Sequence, residues 1–359
     1  MNLNKFAKAF LLLICIIISI VLLYFIYVFT TYSRIEDMQA LEISQDASFA
    51  EVKTNTPYTA LTQNLGFGAY TADFTFFMDG GSKSWADSEE SVKNCISKSA
   101  EGIQTFHPDF ILLQEVDTDS TRSYHVNQLD LLRSYFDGYE EIFAVNFHSA
   151  FLMYPLYQPH GFCNSGIVTY SKAKVTSSVR RKLEISTGFS KFIDLDRCYS
   201  VSRIPVSNGK ELILYNVHLS AYGGSDKIRT SQMTMLFQDM KAEYDAGNYV
   251  VCGGDFNHDF TGNSTQVLNN VSENDFGWAQ PFPMELLPEG LTRCTNYSNG
   301  EIISTTRNCN IPYGPDSFTV ILDGFLVSDN VKVLYLENID TGYLYSDHNP
   351  VVLQFELVE

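Results

Sequence analysis

The chain has 359 residues, with 42 acids against 24 lysines and arginines and a formal charge of −18. A surface that acidic repels a polyphosphate backbone at long range, which disfavours a long nucleic acid as partner. Seven cysteines without a C-x-x-C pair exclude a zinc ribbon.

Residues 10–29 carry no charge and are dominated by Leu, Ile, Val and Phe. As a helix they match a bilayer core of roughly 30 Å. Lys5 and Lys8 precede the run, and Arg34, Glu36 and Asp37 follow it. The basic excess on the short side predicts a cytoplasmic N-terminus (residues 1–9) and an extracellular remainder in a single-pass protein of the cell membrane. A cleaved signal peptide is the competing form, but its apolar region is shorter and ends in a small-residue site. Phe29-Thr30-Thr31-Tyr32 is a poor site, so an uncleaved signal-anchor is expected. Beyond it lie all the acids and 22 of the basic residues, leaving a charge near −20.

Residues 30–55, including Gln45 and Asp46, are polar and weakly patterned, and predict a stalk that starts helical. Residues 56–359 are long enough to bury a large core. Residues 59–65 read as a strand ending in Asn64. Residues 66–85, rich in Gly and aromatics, predict a long ordered loop. Apolar positions Val92, Ile96 and Ile103 predict a helix over 88–106, stopped by His107-Pro108. Residues 110–116 form a buried strand pattern with Glu115 at its end. A helix over 128–136, an aromatic apolar stretch over 143–158 and a strand over 165–170 follow. Residues 199–206 and 211–219 flank Asn208-Gly209, a hairpin signal. Residues 227–246 predict a helix. Residues 250–259, V-V-C-G-G-D-F-N-H-D, predict a buried strand stopping at two glycines that leave room for close approach. On extended backbone Asp255 and Asn257 would share one side. Residues 278–315 read as a long loop or insertion, 320–327 and 331–336 as strands, and 343–355 as the closing segment with Ser346-Asp347-His348-Asn349-Pro350. Interleaved helices and strands with hairpins predict a mixed-sheet α/β domain. Cys252 reads as a core residue, and Cys294 and Cys309 could pair in an oxidising compartment, which spacing does not decide.

Six apolar strands carry polar ends: Asn64, Gln114-Glu115, Asn216-Val217-His218, Asp255-Phe256-Asn257, Asp323 and Asp347-His348. Leaving such groups unpaired in a core is costly, so their convergence on one site is the economical reading. Taken singly, Asn64 is a turn amide, Glu115 an ion-pair acid, His218 a core histidine and Asp323-Gly324 a turn. The donors are hard oxygens suited to Mg²⁺ or Mn²⁺, with two histidines and no Ser or Cys placed as nucleophile. That combination suits water attack on a phosphate ester. His258 and Asp259 read as loop, and His107, His125, His148 and His160 as surface or structural. Arg197 and Arg229 are candidate phosphate clamps.

Together these segments resemble the endonuclease/exonuclease/phosphatase superfamily of metal-dependent phosphoesterases, with its deoxyribonuclease-I-like and neutral-sphingomyelinase-like members. The likeness rests on Asn64, Gln114-Glu115, N-x-H-L from Asn216, G-D-F-N from Gly254, D-G-F-L-V-S from Asp323 and S-D-H-N-P from Ser346. It implies a four-layer α/β (α+β) sandwich, two mixed sheets face to face with helices outside, preceded by the one transmembrane helix. It also implies roles. Asn64 and Glu115 bind the metal, with Asp347 near metal and leaving group. Asp255 activates water and Asn257 holds the phosphate. His348 binds the scissile phosphate and Asp323 orients it, while His218 and Asn216 form a second phosphate-contacting pair. Arg229 joins the substrate side. His218 stands where abasic-site repair relatives carry tyrosine, which favours a small phosphoester or a lipid head group as substrate. An extracellular nuclease and a non-catalytic binding domain are the alternatives, and a monomer is expected. The loops 66–85 and 278–315 should shape the pocket mouth.

Overall fold

The computed structural model describes residues 3–44, 47–192, 196–221, 226–268 and 278–359. Among these, the strands form a seven-stranded sheet, a six-stranded sheet and a two-stranded ribbon. The six-stranded sheet runs Val331–Asn338, Val351–Leu357, Tyr58–Asn64, Phe110–Asp117, Asn164–Ser171 and Glu140–His148 in spatial order. The larger sheet runs Gln39–Ala40, Ser177–Lys182, Cys198–Pro205, Glu211–His218, Tyr249–Asp255, Asp323–Ser328 and Leu291–Arg293. Each sheet has one parallel pair, Tyr58–Asn64 with Phe110–Asp117 and Glu211–His218 with Tyr249–Asp255, and is otherwise antiparallel.

The two-residue period of the strands builds four layers. Phe110 and Leu112 face Leu212, Leu214 and Val251 between the sheets. Ile111 and Leu113 point outward to the helix Glu89–Gln104 through Val92, Ile96, Ala100 and Ile103. On the far side Ile213, Tyr215, Val250 and Cys252 meet Met233, Leu236, Phe237 and Met240 of the helix Asp226–Asp245. Ser88 caps the first of these helices through Ser91 N–H. Gly209, at φ +82, turns the Cys198–Pro205/Glu211–His218 hairpin, as its sequence predicts.

At the N-terminus the helix Leu3–Thr31 is long and apolar enough over Lys5–Thr31 to cross a membrane. The next segment departs from expectation. Past Thr31, where the helix ends, the described part of the 30–55 stretch is not helical: Gln39–Ala40 pair with Arg180 and Val179 at the sheet edge, Leu41 and Ile43 pack on the core, and Val52 is fully buried. Its polar composition hid an edge strand whose outer face is wet. Gln45 and Asp46 lie outside the described residues. Ser177–Lys182, rich in Ser, Arg and Lys, escapes sequence reading for the same reason. The 320–327 pattern divides: Thr319–Val320 join Thr306–Arg307 in the ribbon, and Asp323 opens a new strand. In the 66–85 loop Phe67, Tyr70, Phe74 and Phe76 are buried, so it is ordered by core packing.

Candidate active site

Strand register assembles the site. Asn64 lies beside Gln114 in the parallel ladder. The ladder to Asn164–Ser171 slips between Leu113 and Val116. Glu115 occupies that bulge at φ +55 and lines the cavity. In the other sheet, register places both His218 and Asp323 opposite Asp255. The strand stops there, and Asp255 Oδ1 accepts the Asn257 N–H at 2.9 Å. This Asx turn, with Asn257 at φ +50, brings Asn257 to the same cavity. Extended spacing, the basis of the sequence expectation, is not what aims it. The C-terminal motif is stitched on by Ser346 Oγ donating to Asn64 O (2.7 Å) and Gln63 Nε2 donating to His348 O (3.1 Å).

The resulting cavity holds about 310 Å³, with Glu115, His218, Asp255, Asn257, Asp347 and His348 around its polar end. Asn64 Nδ2 spans two acids, donating to Glu115 Oε1 (3.2 Å) and Asp255 Oδ2 (3.1 Å). Its Oδ1 accepts the Gly66 N–H at 2.9 Å. His348 Nδ1 binds Asp323 Oδ2 at 2.8 Å. Its Nε2 lies 4.0 Å from Asp255 Oδ2, and His218 Nε2 lies 3.6 Å from the same oxygen.

Burial and neighbours set the protonation states. Burial and the nearby Asp323 push the Asp255 carboxyl up to about 7, against the pull of His348. Burial and Glu115 likewise push Asp347 up to about 7. Burial disfavours the charged form of His348, but Asp323, Asp347 and Asp255 outweigh it and hold the imidazole well above its ordinary value. His218 is driven well below its ordinary value by burial, Arg197 and His348. One histidine is therefore cationic and the other neutral at pH 7, a division that suits one to charge and the other to hydrogen bonding.

The donor set fits a hard divalent cation. Glu115, Asp255 and Asp347 are crowded oxygen donors, Asp255 raised by burial and Asp323 and Asp347 by burial and Glu115. Asp255, Asp323 and His348 also bring one ligand atom each within 4.8 Å of one another. Asp323 is already spent on His348 Nδ1 at 2.8 Å, so the Glu115/Asp347 side is the better seat. A ligand role for Asn64 there requires the opposite face of its amide, a flip about its last torsion.

Three expectations are corrected. Asn216 does not reach the cavity: its Nδ2 donates to Val168 O (2.9 Å) and Leu113 O (3.3 Å) and its Oδ1 accepts from Gln114 Nε2 (2.8 Å), tying the two sheets together. Arg229 lies off the cavity lining and donates to Trp278 O at 2.8 Å, whereas Arg197 lines it. Gly253 and Gly254 make no room for substrate. A Cβ on Gly253 would sit 2.4 Å from Phe325 Cε1, and one on Gly254, at φ +146, 2.1 Å from Val217 O, so they serve sheet packing. The pairing that spacing left open does not form: Cys294 and Cys309 are free thiols in different cores, one between the sheets and one on the outer face. Of the histidines read as structural, His160 lines the cavity, His148 pairs with Asp196 and His125 with Asp119.

Thr306 was not legible in the sequence. Its Oγ1 donates to Asp323 Oδ2 (3.1 Å) and lies 3.1 Å from His348 Nδ1. A lone Thr in a loop-like stretch carries no signal; only its bridge to His348 reveals it. Asn146, with Nδ2 3.4 Å from His218 Nδ1, is another such case.

A family model described as Endonuclease/Exonuclease/phosphatase family matches residues 61–348. No curated protein matches the sequence. Solved structures do. An endonuclease/exonuclease/phosphatase from Beutenbergia cavernae superposes at a TM-score of 0.52 with 16% identity, over 84% of this chain and 72% of that one. The human Nocturnin catalytic domain with bound sulfate gives 0.50 and 17%, over 89% and 98%. ANGEL2, a 2′,3′-cyclic phosphatase in complex with adenosine-2′,3′-vanadate, gives 0.53 and 14%, over 90% and 99%. At these identities the likeness is one of fold.

Proposed function

The chain belongs to the endonuclease/exonuclease/phosphatase family, whose members hydrolyse phosphoesters, and on that footing we propose a membrane-anchored, Mg²⁺- or Mn²⁺-dependent phosphoesterase acting outside the cell as a monomer. Its substrate is a small phosphoester or a lipid head group. The observation that carries the reading is the meeting of Glu115, Asp255, Asp347 and the Asp323–His348 pair in one cavity. A non-catalytic domain would have no reason to keep a buried, mutually perturbed acid–imidazole cluster at a pocket.

Glu115, Asp347 and a turned Asn64 would hold the cation, which when bound neutralises charge on the phosphoryl oxygens. Asp255 orients the attacking water and takes its proton as the new P–O bond forms. His348, cationic and fixed by Asp323, hydrogen-bonds a phosphoryl oxygen through Nε2 as negative charge builds there. Asp347 would give up its proton when the cation binds, and the departing oxygen, its charge met on that side by the cation, takes its proton from solvent. Asn257 and neutral His218 complete the phosphate cradle. With bis-para-nitrophenyl phosphate as substrate, turnover should require Mg²⁺, stop with chelator, and fall by about three orders of magnitude or more in Asp255→Asn and His348→Ala at unchanged folding. Metal-independent turnover, or activity retained in either variant, refutes the assignment.

A further inference from the structure

The end of the anchor helix is bonded to the rim of the cavity. Tyr24 Oη donates to Phe151 O (3.1 Å) and accepts the Met153 N–H (3.0 Å), and Tyr27 Oη accepts the Phe151 N–H (3.1 Å). Phe29 packs edge-on to Phe192 with ring centroids 5.0 Å apart. Tyr24 lies about 8 Å along the helix from Phe29, the end of the apolar run, at 1.5 Å per residue. The segment bonded to it therefore lies within the outer part of the apolar span, about 8 Å below its end. Its side chains suit that level: Tyr154 is 70% exposed, Leu156 81% and Tyr157 68%, with Met153 also exposed. In this acidic protein no Asp, Glu, Lys or Arg occurs between Glu141 and Lys172. Contiguous exposed apolar residues beside a membrane helix mark a bilayer-facing surface, and Tyr is favoured at the interface.

The same segment is the cavity wall. Leu152 and Tyr154 line the cavity, and the Tyr154 ring lies 5.7 Å from that of Phe77, which lines it too. A second hollow between the helix end and the domain, lined by Tyr27, Val28, Phe162 and Phe192, shares Leu152 with the first. We propose that Met153, Tyr154, Leu156 and Tyr157 form a lip that dips into the outer leaflet, so that the catalytic cavity opens at head-group depth onto a phosphoester carried by a bilayer lipid. The substrate part rests on the phosphoesterase reading above; the docking surface does not.

The test uses the full chain reconstituted in phosphatidylcholine vesicles. A nitroxide on Leu156→Cys, in a Cys15→Ser background because the other cysteines are buried, reports depth. It should collide with dissolved oxygen in preference to a water-soluble nickel chelate. In parallel, vesicles doped with sphingomyelin, phosphatidylglycerol or a phosphoinositide are assayed for head-group release beside soluble bis-para-nitrophenyl phosphate. Leu156→Asp should lower lipid turnover about tenfold or more and leave the soluble ester unchanged. A water-exposed label overturns the lip whatever the activity. Turnover of the soluble ester but of no lipid, or equal loss on both in Leu156→Asp, overturns the lipid substrate. A buried label with no turnover on any ester supports the lip and refutes the phosphoesterase reading.

Discussion

Thr306→Val keeps the volume of the side chain and removes one hydroxyl. That hydroxyl bonds Asp323 Oδ2 at 3.1 Å and lies at the same distance from His348 Nδ1. Among the described residues Asp323 Oδ1 has no hydrogen-bond partner, so His348 and Thr306, both on Oδ2, are the contacts that aim this buried carboxylate. A hydrogen bond to a charged group contributes about 1.5–3 kcal/mol. If it is expressed only while His348 carries charge toward a phosphoryl oxygen, the loss appears in kcat at about tenfold per 1.36 kcal/mol. The expected fall is therefore roughly 10- to 150-fold in kcat, with KM and the thermal midpoint little changed. Steady-state kinetics on bis-para-nitrophenyl phosphate, with a melt by circular dichroism, measures it. A change below about twofold in kcat would refute the positioning role; a parallel fall in the melting temperature would show that Thr306 acts through stability.

Three further outcomes are expected. Asp323 is the leading charge holding the His348 pKa up, and activity needs the protonated form, present below that pKa and lost as pH rises through it. Asp323→Asn should therefore move the alkaline limb of the kcat/KM profile to lower pH, and an unmoved limb would sink the pairing argument. Gly254→Ala forces a Cβ to 2.1 Å from Val217 O at φ +146. It should cost about 1–3 kcal/mol or more in a denaturant titration, and an unchanged midpoint contradicts the packing role. With Cys294 and Cys309 in separate cores, reductant should change neither the melting temperature nor gel mobility under denaturing conditions.

Much was legible from residue order alone. The strands around Leu112, Ile213 and Val251 announce themselves because a strand buried on both faces must be apolar without interruption. Asp255, Glu115 and His348 stand out because an acid or imidazole ending such a strand is costly without a purpose. Periodicity likewise reveals the helix starting at Ser88 and the Asn208-Gly209 hairpin, since both depend on neighbours a few residues apart.

What the chain order could not decide involves partners far apart in sequence. Asn216 and His218 are two residues apart in one motif, yet only His218 meets Asp255; Asn216 is spent on Gln114 in the opposite sheet. Thr306, in an unpatterned stretch, becomes a support of His348 because a short ribbon lays it there. The glycines before Asp255 look like space for a ligand and are space for Phe325 and the Val217 backbone. Local propensity and burial pattern are properties of a stretch of chain, and they determined the core strands and the acids and imidazoles that end them. Which donor each side chain meets is a property of register between strands, and only tertiary structure supplies it.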